Sequence, residues 1–265
     1  MNVVFLLGNH PRHRYIARQL DEAGYLDGMV VEQRETHIPE PPEDLDDHLS
    51  KLYRHHFERR AAAEEEFFGD PTFPDVPSFS TSPEDLNSEG VREFIRDHDP
   101  NITLSYGVHI LSEETLAAIP GKAWNVHGGL SPQYRGVITH FWPSYMLEPQ
   151  MTGVTLHELT TDVDAGPIVH QTGANLVRGD GVHQLASRTV KRFAEELPQV
   201  LDLAARGDLN RPVKQESAGK LWLSTDWRPE HLVVIYDKFN NDIVDRYLNG
   251  EIEGKEPDLI RQFEK

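Results

Sequence analysis

An amide, an imidazole and a carboxylate stand beside glycine-rich turns in the middle of the chain. Asn125 and His127 belong to residues 124–136 (WNVHGGLSPQYRG), and Asp164 belongs to residues 163–168 (VDAGPI). Acyl transfer needs three such groups: a donor to the oxyanion, a proton acceptor, and an acid that holds the imidazole in one orientation. The residue types therefore point to acyl transfer.

The spacing places these side chains at strand ends. Residues 123–127 are predicted to end a short strand, and alternation along it points Asn125 and His127 to the same side. Two glycines then let the backbone turn sharply, and Asp164 precedes another Gly-Pro turn and an apolar run. Polar side chains at strand ends are typical of sites on open α/β sheets. An isolated Asn-x-His also fits a surface turn with one hydrogen-bonded histidine.

The whole run resembles the catalytic core of the 10-formyltetrahydrofolate-dependent formyltransferases. In that family a strand ending in Asn-x-His precedes a Leu-(Leu/Ser)-Pro-x-(Tyr/Trp)-Arg-Gly loop, a Thr-Gly-Val-(Thr/Ser) strand and an Asp-x-Gly loop. Residues 130–136, 152–155 and 164–166 match these elements in the family's order. The chain departs at Gly128 and Gly129, where many members carry Pro-Ser or Ala-Ser. That departure leaves the chemistry intact and is expected to change what the loop grips.

The resemblance implies an N-formyltransferase that moves a formyl group from 10-formyltetrahydrofolate to a primary amine of a small molecule. It implies that Asn125 and His127 hydrogen-bond the oxyanion, while Asp164 orients His127 and relays the amine's proton. His157 is a candidate supporting contact near the site. We expect no metal, since a cluster of His127, His157, Asp164 and His170 has no recognised ligand spacing.

A donor site is expected after the strand at 102–106. A flat pterin needs an apolar slot with backbone donors and acceptors at its edge, and residues 106–111 offer apolar side chains between a strand and a helix. In the resembled family the matching segment lines the pterin pocket with the loop before the catalytic acid, here 159–163. Ordinary core packing is the alternative for 108–111. The predicted donor-binding residues are Tyr106, Val108, Ile110, Leu111, Thr160 and Asp162.

Acceptor binding is assigned to basic residues near the first helix. His10 and Arg12 lie at a helix N-terminus, where added cations can hold a phosphate or carboxylate; a solvated basic turn is the alternative. Arg135 lies in a loop that family members use near the acceptor. Residues 8–12 do not match the Gly/Ser-rich phosphate loop of members that act on glycinamide ribonucleotide, which disfavours that acceptor. Residues 219–227 resemble the Asp-Trp segment of sugar and tRNA formyltransferases, so a nucleotide-linked amino sugar or another small biosynthetic amine is the preferred acceptor. By contrast, His56 on the next helix is expected to be solvated or packed.

Two other functions stay open. A formyltetrahydrofolate hydrolase would use water in place of the amine; the resembled hydrolases carry an N-terminal regulatory domain, and this chain starts directly with its first strand. A non-catalytic folate- or nucleotide-binding module would keep only a relic of the site. The presence of Asn125, His127 and Asp164 argues against that option.

Composition limits the setting and the partners. The 265 residues carry 44 acidic and 26 basic side chains, a formal net charge of −18, and no cysteine. Nucleic-acid binders show a basic stripe, and this chain has none, so the expected partners are a folate and a small amine, with a homodimer as the candidate assembly. No apolar run approaches the roughly 20 residues of a membrane span. We expect a cytoplasmic protein, and the acidity also fits a salt-adapted host.

The surrounding elements predict an α/β fold. A buried strand at 3–7, a helix at 12–23 and a strand at 28–31 form a β-α-β unit. We predict a Rossmann-like, open, mostly parallel sheet with helices on both faces; without Gly-x-Gly-x-x-Gly, no NAD site is expected. The catalytic domain is assigned to 1–207 and a short C-terminal extension to 208–265. Further expectations are a mobile loop or lid at 69–83, a cap at Asn87 and Ser88 for a helix at 89–98, and one amphipathic helix at 232–248.

Overall fold

The computed structural model describes residues 1–33, 38–69, 71–216 and 219–263. Its main sheet has seven strands in the order β3-β2-β1-β4-β5-β7-β8. A second sheet of two strands pairs β6 with β9 in parallel. The strands are β1 (Val3–Gly8), β2 (Leu26–Glu32), β3 (Ser78–Thr81), β4 (Ile102–Tyr106), β5 (Lys122–His127), β6 (Tyr134–Gly136), β7 (Gly153–Glu158), β8 (Ile168–Gly173) and β9 (Lys220–Trp222).

Helices cover both faces of the main sheet, which confirms the predicted α/β class. They are α1 (Pro11–Glu22), α2 (Asp47–Phe68), α3 (Glu89–His98), α4 (Glu113–Ala118), α5 (Trp142–Tyr145), α6 (Val182–Arg206), α7 (His231–Val233) and α8 (Ile243–Leu248). Every residue of the interior strand β1 is buried, as expected for a parallel strand covered on both faces. Val3, Phe5 and Leu7 pack with α1 and α6, whereas Val4 and Leu6 pack with α3.

The sheet changes direction next to the candidate site. Strands β3, β2, β1, β4 and β5 run parallel, and β7 and β8 are antiparallel to their neighbours. In the β5–β7 ladder Asn125 lies directly opposite His157, and His127 lies opposite Thr155. Side chains of directly opposed residues come within contact distance on one face of a sheet. The ladder therefore brings a second histidine to the predicted amide.

A second hydrophobic cluster joins distant parts of the chain. It combines Tyr53 of α2 and Trp142 of α5 with Trp222, Leu232 and Ile235 from the C-terminal part. Trp142 and Trp222 stack with their ring centroids 4.0 Å apart. The division at residue 207 stays a prediction, but the residues after it share this cluster with α2 and add strand β9 beside β6.

Three local predictions need correction. The segment 69–83 was expected to be a mobile loop, but Ser78–Thr81 pairs in parallel with β2 as an edge strand; Asp70 lies outside the described residues. The single helix expected at 232–248 is divided, since a π-helix (Val234–Lys238) ends before Asn240 and Asn241, whose φ angles are positive. Positive φ cannot continue a right-handed helix.

The third correction concerns the helix cap. Ser88 is the N-cap of α3 without a side-chain hydrogen bond to it. Asn87 instead accepts a hydrogen bond from the Ser112 backbone N–H at 2.8 Å and donates to the carbonyl of Ile110 at 3.0 Å. The amide thus fixes the segment that follows β4. None of the helices among the described residues has the length and apolar character to cross a membrane.

Candidate active site

Four polar side chains converge where β5, β7 and the loop before β8 meet. Asn125 and His127 come from β5, His157 comes from β7, and Asp164 comes from the loop. The carboxylate of Asp164 lies 3.2 Å from Nδ1 of His127, 3.3 Å from Nε2 of His157 and 3.4 Å from Nδ2 of Asn125. The structure therefore brings together the three residues predicted to carry the chemistry and places His157, the candidate supporting residue, beside them.

Asp164 is the centre of this group. Its Oδ2 accepts a hydrogen bond from the backbone N–H of Gly136 at 2.8 Å, and its own backbone has φ 49°, an unusual value for a residue with a side chain. Burial raises the pKa of the carboxyl, but His127, His157 and Gly136 outweigh it and lower that pKa to about 2. Asp164 is therefore an anion throughout the neutral pH range.

Both ring nitrogens of His127 face oxygen atoms. Nε2 lies 2.7 Å from the carbonyl of Tyr134, and Nδ1 lies 3.2 Å from Asp164. A carbonyl only accepts, so Nε2 carries a proton. Burial lowers the pKa of His127, although Asp164 opposes that effect. The neutral ring then turns a lone pair toward the carboxylate, and a proton between the two would convert that contact into a hydrogen bond. His127 has no ring nitrogen left for a ligand in this conformation.

His157 repeats the same arrangement from the other side. Its Nδ1 lies 2.8 Å from the carbonyl of Glu158 and so donates, which leaves Nε2 facing Asp164 and Asn125. One carboxylate is thus faced by two imidazoles, each with its other nitrogen fixed as a donor to a carbonyl. A proton could lie between Asp164 and His127 or between Asp164 and His157.

Asn125 keeps one N–H bond for the cavity. Its Oδ1 accepts from the hydroxyl of Ser105 at 2.8 Å, which sets the amide orientation. Its Nδ2, Nε2 of His157 and Oδ1 of Asp164 form a nearly equilateral triangle with sides of 3.1, 3.4 and 3.3 Å. A single N–H bond directed between the two acceptors serves both, because the amide's two N–H bonds diverge by about 120°. The second N–H bond is free to donate to a ligand.

The glycine pair that departs from the resembled family makes room for two imidazoles. A Cβ atom at Gly129 would lie 2.6 Å from Nε2 of His127 and 2.6 Å from the Tyr134 carbonyl, and one at Gly128 would lie 2.9 Å from the ring of His140. The imidazole of His140 is neutral, since burial lowers its pKa to about 3. Its Nε2 donates to the carbonyl of Gly153.

Two β-strand side chains fix the turn around these glycines. Thr155 donates to the carbonyl of Gly129 at 2.6 Å and accepts from the backbone N–H of Ser131 at 3.0 Å. Gln171 donates to the carbonyl of Ser131 at 2.7 Å. The loop after β5 is therefore held by β7 and β8, which keeps Tyr134 in place beside His127.

The four residues line one cavity of about 880 Å³. This volume is near the upper end for small-molecule pockets and leaves room for two substrates. One wall, which we call the loop wall, consists of residues 106–111 and 159–163. All the residues predicted to bind the donor belong to it: Tyr106, Val108, Ile110, Leu111, Thr160 and Asp162.

The opposite set of lining residues, which we call the helix wall, comes from α1, α2, α6 and residues 221–227. It includes Arg12, the one predicted acceptor residue that lines the cavity. His10 directly precedes α1, and Arg135 lies on β6; both are half-buried outside the lining. The other members of the helix wall used below are His56, Phe57, Arg60, Glu64, His183 and Trp227.

Sequence reasoning missed several of these residues. His56 was expected to be solvated or packed; it is buried, lines the cavity and forms a 3.2 Å contact with His183. Arg60 was given no role, although it follows His56 by one helical turn, a signal that was present in the sequence. Ser105 is one of two buried polar residues with hydrophobic neighbours in strand β4, a pattern that could have been noticed in the sequence.

The arrangement suits acyl transfer in two respects. The free N–H bond of Asn125 can donate to a ligand oxygen, and a donor whose direction is fixed in advance stabilises developing negative charge strongly. The cluster of Asp164, His127 and His157 can take up a proton close to that donor. A carbonyl compound and a nucleophile that releases a proton are the reactants that this geometry fits.

Comparison with known proteins agrees. A sequence profile of the family described as formyl transferase matches residues 55–201. Phosphoribosylglycinamide formyltransferase from Anaplasma phagocytophilum superposes with a TM-score of 0.58 at 20% identity, covering 84% of this chain and 98% of its own.

Two further solved structures share the fold. A sugar N-formyltransferase from a Shewanella species gives 0.56 at 16% identity, covering 85% of this chain and 78% of its own. A formyltransferase from Anoxybacillus kamchatkensis, in complex with tetrahydrofolate and UDP-4,6-dideoxy-4-formamido-L-AltNAc, gives 0.50 at 16% identity, covering 91% and 95%.

Proposed function

Because this chain belongs to the formyl transferase family, we propose that it moves a formyl group from 10-formyltetrahydrofolate to the primary amine of a small molecule, and that the acceptor is a nucleotide-linked amino sugar. The chain is a formyltransferase by its family. The identity of the acceptor and the roles of individual residues are the proposal. These roles rest on one observation: the Asn125 amide contacts the Asp164 carboxylate, and both residues line one large cavity.

The loop wall fits the formyl donor. Val108, Ile110 and Leu111 offer apolar surface, and Ile110 is 70% exposed at the rim. Asn87 fixes the backbone of the segment, so its polar groups are preorganised for the edge of a flat ring. The donor, when bound, supplies an electrophilic formyl carbon.

Asn125 is assigned to the oxygen of the formyl group. Its free N–H bond is held in direction by Ser105, His157 and Asp164, so little reorganisation is needed when negative charge develops. A donor held rigidly in this way stabilises charge better than mobile water does. Both ring nitrogens of His127 are engaged. We therefore assign His127 to positioning Asp164 and to holding the proton that Asp164 receives.

Asp164 is assigned to the proton that the amine loses. When the amine nitrogen bonds to the formyl carbon, the bond from that carbon to N10 of the folate breaks; the amine loses one proton and N10 gains one. A proton delivered to the oxygens of Asp164 meets the lone pair of His127 or His157, and either imidazole can hold it while still donating to its carbonyl. Proton transfer of this kind contributes about 10²–10⁴-fold to rate.

The helix wall supports a nucleotide-linked amino sugar as acceptor. Phe57 and Trp227 lie on it with their ring centroids 6.2 Å apart, and Phe141 of the cavity lining packs against Trp227. Aromatic faces of this kind stack on sugars and bases. A Shewanella protein described as a sugar N-formyltransferase shares the fold, and the Anoxybacillus structure contains a UDP-linked formamido sugar.

The test is a screen of acceptors with 10-formyltetrahydrofolate. The panel holds UDP- and dTDP-linked amino sugars, glycinamide ribonucleotide and simple amines, and mass spectrometry detects the gain of one formyl group. We expect formylation of an amino-sugar nucleotide. Formylation of glycinamide ribonucleotide alone would overturn the acceptor assignment, and donor hydrolysis without any amine would point to the hydrolase.

A further inference from the structure

One face of α2 presents a stripe of polar side chains to the cavity. His56, Arg60 and Glu64 follow one another at four-residue intervals, which places them along one side of the helix. All three line the cavity together with Phe57. Asp46 caps the helix by accepting from the backbone N–H of Leu49 at 2.8 Å. The stripe therefore has a well-defined position on the helix wall.

The charges of this stripe do not balance. Glu64 forms an ion pair with Arg12 of α1. Arg60 makes neither an ion pair nor a hydrogen bond with any residue that the structure describes, and its guanidinium lies over the ring of Phe57 at 4.7 Å from the ring centroid. Two cations thus share one carboxylate, which leaves one positive charge in excess on the helix wall.

No other described group on the cavity surface neutralises Arg60. Asp164 is engaged by its two histidines, and Asp162 is exposed. The imidazole of His56 is neutral because burial lowers its pKa to about 3, and burial also lowers the pKa of His183 well below its usual value. Burial and the neighbouring Arg12 likewise lower the pKa of Arg60. A half-buried cation in such surroundings is stabilised by an anion.

We propose that Arg60 binds an anionic group of the acceptor, a carboxylate or a phosphate, so that the amine formylated here belongs to a negatively charged molecule. This inference rests on the proposed function, since it concerns the same cavity. The planar guanidinium fork matches the oxygens of either group in a bidentate manner. On a chain with a net charge of −18, a local cation is also what allows an anionic substrate to approach.

The competing explanation is that Arg60 only packs on Phe57. The two explanations differ in what substitution changes. A packing role predicts lost stability and unchanged ligand binding, whereas an anion-binding role predicts weaker binding of anions. Arg59 is the matched control, because it carries the same charge at the preceding position of α2. Its side chain is exposed and donates a hydrogen bond to His55, outside the cavity lining.

The experiment titrates inorganic phosphate and acetate, separately and at constant ionic strength, into the wild type, Arg60→Gln, Arg60→Lys and Arg59→Gln, with binding followed by calorimetry. We expect the wild type and Arg59→Gln to bind at least one anion alike. Arg60→Gln should bind it roughly tenfold more weakly or worse, the loss of a hydrogen bond between charged groups. Arg60→Lys should fall between them. The anion preferred indicates whether the acceptor carries a phosphate or a carboxylate.

Tetrahydrofolate binding and thermal unfolding of the same variants distinguish a failure of the Arg60 proposal from a failure of the proposed function. Equal anion binding by Arg60→Gln and the wild type, or no anion binding by the wild type at tens of millimolar, would overturn the proposal for Arg60. Tetrahydrofolate binding that is normal in all variants keeps the formyltransferase assignment in either case. Absence of tetrahydrofolate binding from the wild type would count against the proposed function itself, whatever the anions do.

Discussion

At the scale of single residues, Asp164 is the centre of the polar cluster. Two imidazoles contact its carboxylate, and each has its far nitrogen committed to a backbone carbonyl. With both rings neutral, neither of the two contacts between an imidazole and the carboxylate then contains a proton. A site that gains hydrogen bonds when it takes up a proton is suited to a reaction that releases one. Asn125 sits on the edge of this group and shares its contacts.

Replacement of Asn125 tests the oxyanion assignment. We expect Asn125→Ala to reduce turnover by roughly 10²–10³-fold, the usual cost of losing one such donor. Tetrahydrofolate affinity should change little, because the donor is proposed to bind the loop wall. Steady-state kinetics with the acceptor from the screen measures the effect, and Asn249→Ala, an exposed site, is the control. A loss confined to KM would contradict the assignment.

The ionised carboxyl of Asp164 also predicts a pH dependence of stability. Its pKa is lowered from 3.8 to about 2 in the folded chain, so the folded state binds fewer protons than the unfolded state between these values. The stabilisation is complete above the unfolded pKa, amounts to about 2 kcal/mol, and is lost as pH falls through the folded value. Urea unfolding at pH 6 and pH 2 should show wild type losing this amount relative to Asp164→Asn. An equal response of both proteins would refute the predicted linkage.

At the scale of elements, the site depends on how strands and loops meet. The antiparallel ladder of β5 and β7 sets Asn125 opposite His157, and the loop after β5 must fold back tightly for Tyr134 to accept from His127. Gly129 makes this close approach possible, since a Cβ there would lie against both His127 and the Tyr134 carbonyl. The carbonyl oxygen of Tyr134 belongs to the backbone, so it cannot move aside as a flexible side chain can.

Gly129→Ala is therefore expected to be worse than Gly128→Ala. The first substitution should displace the loop, cost about 1–3 kcal/mol in the free energy of unfolding, and remove most of the activity. The second meets only the ring of His140, which can rotate, so a smaller loss is expected. Chemical denaturation and formyl-transfer assays on the pair check this order. The reverse order would show that the position of His140 matters more than the turn.

At the scale of the whole molecule, acidic charge dominates. A net charge of −18 produces repulsion that opposes the compact state. The excess cation on the helix wall is a local exception to this charge. It concentrates positive charge at the place where an anionic acceptor would enter.

Added salt should stabilise the protein. Raising NaCl from 0.1 to 1 M shortens the screening length from about 10 to about 3 Å, so Tm at neutral pH should rise by roughly 2–4 °C for each kcal/mol of repulsion removed. Differential scanning calorimetry measures the change. At a pH near the sequence pI of about 5.1 the same salt step should have a much smaller effect. A Tm that is flat or falling with salt at neutral pH would exclude charge repulsion as a main term.

The sequence by itself determined the α/β class, the positions of β1, β2, β4 and β5, and the family. Those features depend on local patterns, such as the apolar run of β1 and the spacing from Asn125 through Asp164. Such patterns can be recognised without knowing which distant residues are in contact. The lining residues of the loop wall could also be predicted, because they directly follow β4 and β7.

The tertiary structure alone decided which distant residues complete the cavity. His56 and Arg60 face it only because α2 packs across α6 and beside residues 221–227, and helical periodicity gives a stripe without saying what lies opposite. The pairing of His157 with Asn125 required the antiparallel register of β5 and β7. Edge strand β3 and the divided C-terminal helix were likewise missed, because pairing partners and packing override weak local preference. Contacts between residues far apart in sequence depend on packing throughout the whole chain. They therefore cannot be predicted from any short segment.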